Sequence, residues 1–551
     1  AFLDYEREPF WTIPRACEHN LTSLLPRLAG REPAGMNVHY RAHLFSEGLV
    51  RAVWNDNMEM VQWLCSEYCP SGFVWKAVEE AATTGNLAML ERLTQHPTYF
   101  FVKREPSLLD LAAKNGHLET LKWIYSHTLN TKFDKASRAM MVAIRSGDIE
   151  LIQWLYPHLS QQEKPLFFPL AVETGNIAMA QLAFDLFSWF DHSDTFSAAV
   201  VSGSLEMVKW VDKHCNASET SCAMSTAASH GHLDIVQWLH EHRSNDIWEG
   251  NAMDLAAGQG HLHAVKWLHE HRQEGCTSNA MDNAAANGHL DILNWLHANY
   301  QEGCTRRATN RAATNGHLHV IKWLHKHGCD EFGHNVMDLA IQNNHLDVVE
   351  WLHANRSNGC TSWAFDMAAG NNHLDMVKWL HANRDESCTS FAMDCAANMN
   401  HIDMVKWLHQ NRDEGCTYEA MDAAARNNHL EMVKWLHENR SEGCSTEAMD
   451  AASSLEMVQW LHENRSEGCT SCAMDIAAGK GNFELVLFLH NHRTEQDPHS
   501  AAIAAANAFH LELFQWLCDT YPNQVDVRSL ADDVVLNRTA RDVLQHMLQY
   551  L

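Results

Sequence analysis

The sequence lacks the features expected of a membrane protein, a nucleic-acid-binding protein or a common nucleotide-hydrolysing enzyme. No stretch of 18 uninterrupted apolar residues occurs, which excludes an ordinary transmembrane helix. Lys and Arg number 41 against 69 Asp and Glu, and the formal charge of -28 opposes general binding to phosphate backbones or anionic membranes. A GxxxxGK[ST] phosphate-binding loop and a convincing nucleophile constellation are also missing. We therefore expect a protein that is not an enzyme, needs no cofactor, binds no nucleic acid and does not insert into membranes.

The beginning of the chain and its cysteines bear on location. The first residues, AFLDYEREPFW, carry acids where a signal peptide would carry a basic region, which favours a soluble protein, although the missing initial methionine leaves a removed leader open.

Seven of the 16 cysteines lie nine residues after a tryptophan: Cys276, Cys304, Cys360, Cys388, Cys416, Cys444 and Cys469. Equivalent atoms of stacked helices lie about 8 to 10 Å apart, whereas a disulfide needs Cα atoms within roughly 7 Å. These cysteines are therefore predicted to be too far apart to form disulfides with one another. Reduced thiols in turn predict a cytoplasmic or nuclear protein.

The most abundant feature of the sequence is repetition. The same helical sequence motif occurs seventeen times between residues 63 and 516, and from Trp210 onward its copies are almost always 28 residues apart. The clearest copies are AMDNAAANGHLDILNWLHANYQEGCT, from Ala280 to Thr305, and AMDAAARNNHLEMVKWLHENRSEGC, from Ala420 to Cys444. Similarity at a fixed period of this length is typical of a solenoid, in which each unit buries its apolar surface by stacking on its neighbours.

Each repeat is predicted to be a pair of helices. In the copy that starts at Asn279, the first helix ends at Asn287 and Gly288, a natural stop and turn. The preceding Thr277 offers an N-cap hydroxyl, and the Asp of the AMD segment lies in the first turns, where the helix dipole favours negative charge. The second helix, for example His232 to His242, has a very wide apolar arc that includes the tryptophan. We therefore predict that the tryptophans lie in the core.

The segment AAANGHLDILNWLH, from Ala284 to His297, and its neighbours resemble the ankyrin repeat, with Trp-Leu in place of a Leu-Leu pair. The resemblance covers nearly the whole chain and is greatest to a short, tryptophan-rich variant that is abundant in oomycete proteins. The family's usual TPLH signature is replaced by xAMD, and a 28-residue unit leaves too few residues for the usual long β-hairpin. The resemblance implies an all-α fold, a curved ankyrin-like solenoid of about 17 helix-turn-helix repeats with terminal caps. It also implies that first helices line the concave side and bind other proteins.

The regularity of the repeat divides the chain into four parts. We expect an N-terminal cap at 1–40, divergent ankyrin-like repeats at 41–220, regular ankyrin-like repeats at 221–520 and a C-terminal helical cap at 521–551. One copy is shortened after Asp450, where the turn is cut to AASSL, and we expect a local kink or altered twist there.

Two residue types that often carry chemistry are abundant. The histidines number 38, but a pair such as His232 and His240 is eight residues apart, about 12 Å along a helix, and no compact four-ligand set completes it, so we predict no metal site. An aspartate such as Asp282 recurs once per repeat, which argues against a catalytic carboxylate pair. Two interpretations of the aspartates remain: structural charge at a helix start, or an acidic track for a basic partner segment.

The first helix is predicted to present a variable recognition face. In the copy at Asn279 this face holds Asn279, Asp282, Asn283 and Ala286, opposite a side of small residues. In later copies the variable positions predict one partner-binding strip, formed by Arg307, Arg311, Leu339, Trp363, Met367, Phe391 and Cys395. Exposed apolar patches with aromatic or Arg anchors are features of interfaces, and the arginines with Arg306 would form a basic end suited to an acidic segment. Alternatively, the larger side chains only fill grooves between neighbouring first helices.

These patterns favour an interaction scaffold or adaptor that binds proteins or peptides along its concave surface. The alternative is a structural subunit of a large multiprotein assembly, in which the terminal caps also make contacts. The identity of the partner and the oligomeric state are open at this stage.

Overall fold

The computed structural model describes residues 11–33, 35–102, 107–127, 136–160, 162–187, 195–215, 221–243, 251–329, 333, 335–356 and 359–525. Within these ranges all regular secondary structure is helical, with no β-strand. The described part of the chain also contains no helix that is both long and apolar enough to span a bilayer.

Two short helices, α1 (Ile13–Glu18) and α2 (Leu25–Arg31), precede a series of helix pairs. The first helices of the pairs are α3 (Val38–Trp54), α5 (Trp75–Thr84), α7 (Ser107–Lys114), α9 (Ala136–Ser146), α11 (Phe167–Glu173), α13 (Thr195–Val201), α15 (Ala223–Ser229), α17 (Ala252–Gly258), α19 (Ser278–Ala286), α21 (Arg306–Thr314), α23 (Val336–Gln342), α25 (Ser362–Gly370), α27 (Phe391–Asn398), α29 (Tyr418–Arg426), α31 (Glu447–Ala451), α33 (Cys472–Gly479) and α35 (Pro498–Asn507).

The second helices are α4 (Met58–Trp63), α6 (Leu87–Leu93), α8 (Leu118–His127), α10 (Ile149–Leu155), α12 (Ile177–Phe187), α14 (Leu205–His214), α16 (Leu233–His242), α18 (Leu262–His271), α20 (Leu290–Asn299), α22 (Leu318–Lys326), α24 (Leu346–Asn355), α26 (Leu374–Asn383), α28 (Ile402–Asn411), α30 (Leu430–Asn439), α32 (Leu455–Asn464), α34 (Phe483–His492) and α36 (Leu511–Thr520). Short 3₁₀ turns lie at Thr22–Leu24, Pro97–Val102, Tyr156–His158 and Lys164–Leu166, and a π turn at Leu64–Tyr68.

The helix pairs stack into a curved solenoid, as predicted. Successive first helices pack closely against one another, whereas successive second helices touch only sparsely. The side on which the helices are closer must be the inside of the curve, so the first helices line the concave surface. Small residues make this close approach possible, because Ala280, Ala284 and Ala285 of α19 are all buried in the interface.

A left-handed residue separates the two helices of most repeats, but the shortened connection between α31 and α32 has none. Gly288 has a φ of 80°, a conformation that glycine adopts without steric cost. Asn372 takes the same place in a later repeat with a φ of 62°, consistent with the tolerance of asparagine for this region. The predicted division of the repeat into two helices at this point is therefore confirmed.

The tryptophans are less deeply buried than predicted. Trp238, Trp323 and Trp516 are buried, but the other repeat tryptophans in the described residues are half-buried at the edge of the core. A histidine from the preceding repeat packs edge to face on many of the indoles, as His353 does on Trp379 with ring centroids 5.3 Å apart and an angle of 89°. The core itself consists mainly of Ala, Leu, Val, Ile and Met side chains.

The recurring aspartates connect neighbouring repeats. Asp366 accepts a hydrogen bond at 2.7 Å from the backbone N–H of Thr389 and a second, also at 2.7 Å, from its hydroxyl. Thr389 in turn accepts a bond from the N–H of Phe391 and so caps α27. The same pattern places one carboxylate in each of these interfaces: Asp254, Asp282, Asp338, Asp366, Asp394, Asp422 and Asp450.

This arrangement corrects two predictions. The variable face does not contain Asp282, which is buried, and Ala286 is buried with it. The seven aspartates do not form an exposed acidic track, because each is buried and bonded to the next repeat. Burial raises the pKa of Asp394, while the hydrogen bonds from Thr417 act in the opposite direction.

The two ends of the solenoid contact each other. Helix α3 of the first pair packs against α36 of the last pair. At the centre, the fully buried Glu512 is hydrogen-bonded to the hydroxyl of Ser46, which also lies 3.0 Å from the carbonyl oxygen of Phe73. Burial raises the pKa of Glu512. The Ser46 hydroxyl is the donor in both contacts, to Glu512 and to the Phe73 carbonyl, and so links α3 to α36 and to the segment before α5.

Further contacts join the same two ends. The hydroxyl of Tyr40 donates to Glu484 at 2.5 Å, and the rings of Trp75 and Phe509 lie 6.0 Å apart. In the described residues, the curved array of packed helices therefore closes into a ring. Helix α1 also packs against α3. The predicted C-terminal cap at 521–551 lies outside the described residues from position 526 onward.

Candidate functional site

The concave surface carries a pair of stacked, exposed aromatic rings. Trp363 of α25 is 51% exposed and Phe391 of α27 is 42% exposed. Their ring centroids lie 5.8 Å apart, with an angle of 16° between the planes. Each residue lies two positions after a threonine, Thr361 or Thr389, whose hydroxyl accepts a hydrogen bond from the first turn of the helix. This bond fixes the start of the helix and therefore the position of the ring.

Smaller apolar side chains lie in the same strip. Met367 and Cys395 are half-buried, and so is Leu339 on α23. Gly370 lets α25 approach α27 at this point, since a Cβ there would lie 2.9 Å from the Cβ of Cys395. Burial raises the pKa of the Cys395 thiol, with Asp394 and Asp366 adding to the effect, so this side chain is a neutral, weakly polar group. These three residues partly fill the grooves between first helices, whereas the two rings do not.

The sequence analysis missed two exposed residues beside this strip. Met399 lies at the C-terminal end of α27 and Tyr418 begins α29, and both side chains are largely exposed. Tyr418 stands one residue before Glu419, which is the equivalent of Phe391 in the next repeat. Comparison of the repeats at the position of Tyr418 would have revealed it, because the two preceding copies carry the small residues Ser362 and Ser390 there.

The basic end of the strip lies on α21. Arg306, Arg307 and Arg311 are all exposed, and no carboxylate of the described residues forms an ion pair with them. Arg311 donates from Nη1 to the amide oxygen of Asn283 at 3.0 Å, which holds its guanidinium over the groove between α19 and α21. This open groove, with a volume of about 420 Å³, continues along Asn287 and Asn315.

The aromatic pair and the arginines thus occupy one concave surface, separated by α23. The structure brings Trp363 and Phe391 into direct contact, while Arg307 and Arg311 lie two repeats away from Trp363. We call the exposed face of α21, α23, α25 and α27 the recognition strip. It offers exposed apolar area and exposed guanidinium groups, and none of the carboxylates on these four helices is exposed. Among the described residues, no group of three or more His, Cys, Asp or Glu side chains is placed to hold a metal ion.

The repeat family can now be compared directly. The family model for ankyrin repeats, which comprises three copies, matches residues 196–282, 281–362 and 365–450. A comparison with curated proteins finds none that matches this chain. Helix pairs continue on both sides of the matched residues. Residues 196–362 and 365–450 of this chain therefore belong to the ankyrin-repeat family.

Proposed function

We propose that this protein is a non-catalytic scaffold or adaptor that binds a protein partner along the concave first-helix surface. Ankyrin repeats are generally protein-interaction modules. One observation above all supports the proposal for this chain: Trp363 and Phe391 remain about half exposed although they stack on each other. Large aromatic side chains that stay in water on a rigid helical surface are features of interaction sites.

The proposed contact residues are Arg307, Arg311, Leu339, Trp363, Met367, Phe391 and Cys395, with Tyr418 and Met399 at the edge. Closure of the solenoid supports this role, because contact between its ends restrains the curvature of the strip before a partner binds. A preorganised surface loses less conformational freedom on association. The free thiols of all 16 cysteines, of which many are buried, fit a scaffold that works inside the cell.

A partner-capture experiment tests the proposal. The double variant Trp363→Ala, Phe391→Ala should lose most capture of native partners from cells of the source organism, while thermal unfolding stays near that of the parent chain. Trp54→Ala is the matched control, because Trp54 is 73% exposed but lies at the end of α3, away from the recognition strip. Capture that is unchanged in the double variant, or equally reduced by Trp54→Ala, contradicts the proposal.

The same experiment addresses the structural-subunit alternative. Stable copurification of several subunits that persists in the double variant would favour a structural role over an adaptor.

A further inference from the structure

The recognition strip also indicates which kind of partner it fits. Resting on the function proposed above, we infer that the partner segment is an extended acidic peptide with one bulky apolar anchor. Its carboxylates lie over Arg306, Arg307 and Arg311, and its anchor lies against the Trp363–Phe391 pair.

The first argument is charge. The chain as a whole carries a formal charge of -28, yet the first helices of the strip expose three arginines and no carboxylate. Their aspartates, Asp338, Asp366 and Asp394, are buried and bonded to the next repeat. The second helices behind them expose their own carboxylates, such as Asp347 and Asp375. A positive island within an acidic molecule attracts acidic segments to this surface and repels basic ones.

The second argument is geometry at the arginines. A guanidinium binds a carboxylate best when its planar fork is held in place. The hydrogen bond from Arg311 to Asn283 supplies this restraint at 3.0 Å. Arg307 lies four residues before Arg311, on the same face of α21, and Arg306 begins that helix, so α21 carries a cluster of three cations of which two share one face. Such a cluster suits several adjacent carboxylates better than a single one.

The third argument is distance. Helix α21 and helix α25 are separated by α23, and packed helices lie about 8 to 10 Å apart, so the arginines and Trp363 are roughly 18 Å apart. An extended chain advances about 3.3 Å per residue, which gives a spacer of about six residues. A helical peptide would need about 12 residues for the same span. Between the two sites, the described residues include the exposed Asn335 and the half-buried Leu339, two neutral side chains against which a neutral spacer can lie.

Fluorescent peptides test this inference. Each probe carries four glutamates, a Gly-Ser spacer of two, six or twelve residues, and a Trp-Leu anchor, and binding to the full chain is measured by fluorescence anisotropy. We expect the six-residue spacer to bind most tightly. Substitution of the three arginines by Gln, or of Trp363 and Phe391 by Ala, should each weaken its binding by about tenfold or more. Lys480→Gln is the control, since Lys480 is exposed at the end of α33, well outside the strip, and should leave binding unchanged.

Several outcomes would overturn the inference. They are equal binding by all three spacers, equal binding by a probe with lysines in place of glutamates, an unchanged affinity in the arginine variant, or equally tight binding of a single-stranded DNA probe. Failure here is distinguishable from failure of the proposed function. If the arginine variant still captures native partners while the Trp363, Phe391 variant does not, the scaffold role stands and the acidic segment is wrong.

Discussion

The bond between Asp366 and Thr389 provides a direct test of how the repeats are joined. Asp366 is only 2% exposed and accepts two hydrogen bonds, from the backbone N–H and the hydroxyl of Thr389. A hydrogen bond to a charged group contributes about 1.5 to 3 kcal/mol, and a donor left unpaired in a buried interface costs about 1 to 3 kcal/mol. We therefore expect Asp366→Ala to lower the stability of the interface between α25 and α27 by about 3 kcal/mol.

A double-mutant cycle isolates the side-chain part of this contact. Thr389→Val keeps the branched shape and the backbone bond but removes the hydroxyl, so the coupling with Asp366→Ala should be about 1 to 2 kcal/mol. Asp375→Ala is the matched control, because Asp375 lies in the same repeat but is exposed on α26. Since a repeat touches only its neighbours, unfolding can begin locally. The assay therefore combines denaturant unfolding with hydrogen exchange of α25 and α27, and equal effects of Asp366→Ala and Asp375→Ala would refute the reasoning.

Two further predictions concern the ends of the solenoid and the packing of its first helices. Burial, with Lys76 and His43 nearby, lowers the pKa of His510 to about 4, so its contribution to stability is present above pH 6.5 and is lost as the pH falls toward 4. The raised pKa of Glu512 acts in the opposite sense, because its contribution is fully present below the ordinary value of 4.5 and decreases as the pH rises. Glu512→Gln removes only the second effect, so acidification from pH 7 to 5 should lower the hydrogen-exchange protection factors of α3 and α36 more in this variant than in the parent chain. An identical pH response of the protection factors would contradict the assignment. Gly370→Ala should destabilise the chain by about 1 to 3 kcal/mol, because the new Cβ would lie 2.9 Å from the Cβ of Cys395. In Gly479→Ala the new Cβ makes an ordinary contact at 3.6 Å, so the better helix propensity of alanine should stabilise the chain by up to about 1 kcal/mol. Thermal unfolding of the two variants checks the difference in sign.

The candidate site was predictable where it depends on the repeat register. Trp363 and Phe391 occupy the same position in successive copies, and the structure stacks their rings as neighbours. Their partner-binding role stays a proposal, but their proximity follows from periodicity alone. Tyr418 was missed because it lies one residue outside the column that the pattern singled out.

The inter-repeat aspartates show a signal that was present but misread. An Asp near the start of a helix ordinarily interacts with its own helix dipole, and the local pattern supports that interpretation. The longer pattern is more informative, since Asp366 and Thr389 stand 23 residues apart and Asp394 and Thr417 repeat the same spacing. Residues 23 positions apart come into contact only when one repeat stacks on the next, because stacking places the capping threonine of the following first helix against the carboxylate.

The repeat, its two helices, the turn at Gly288 and the order of the variable side chains can all be inferred from the sequence. These features depend on contacts within one repeat or between neighbours, which a period of 28 residues reports directly. The contact between the two ends is visible only in the folded chain. Glu512 occupies the same repeat position as the exposed Asp375, yet it is buried because α3, more than 450 residues earlier in the chain, covers it. Closure depends on the sum of small rotations over the whole stack, and no local pattern records that sum.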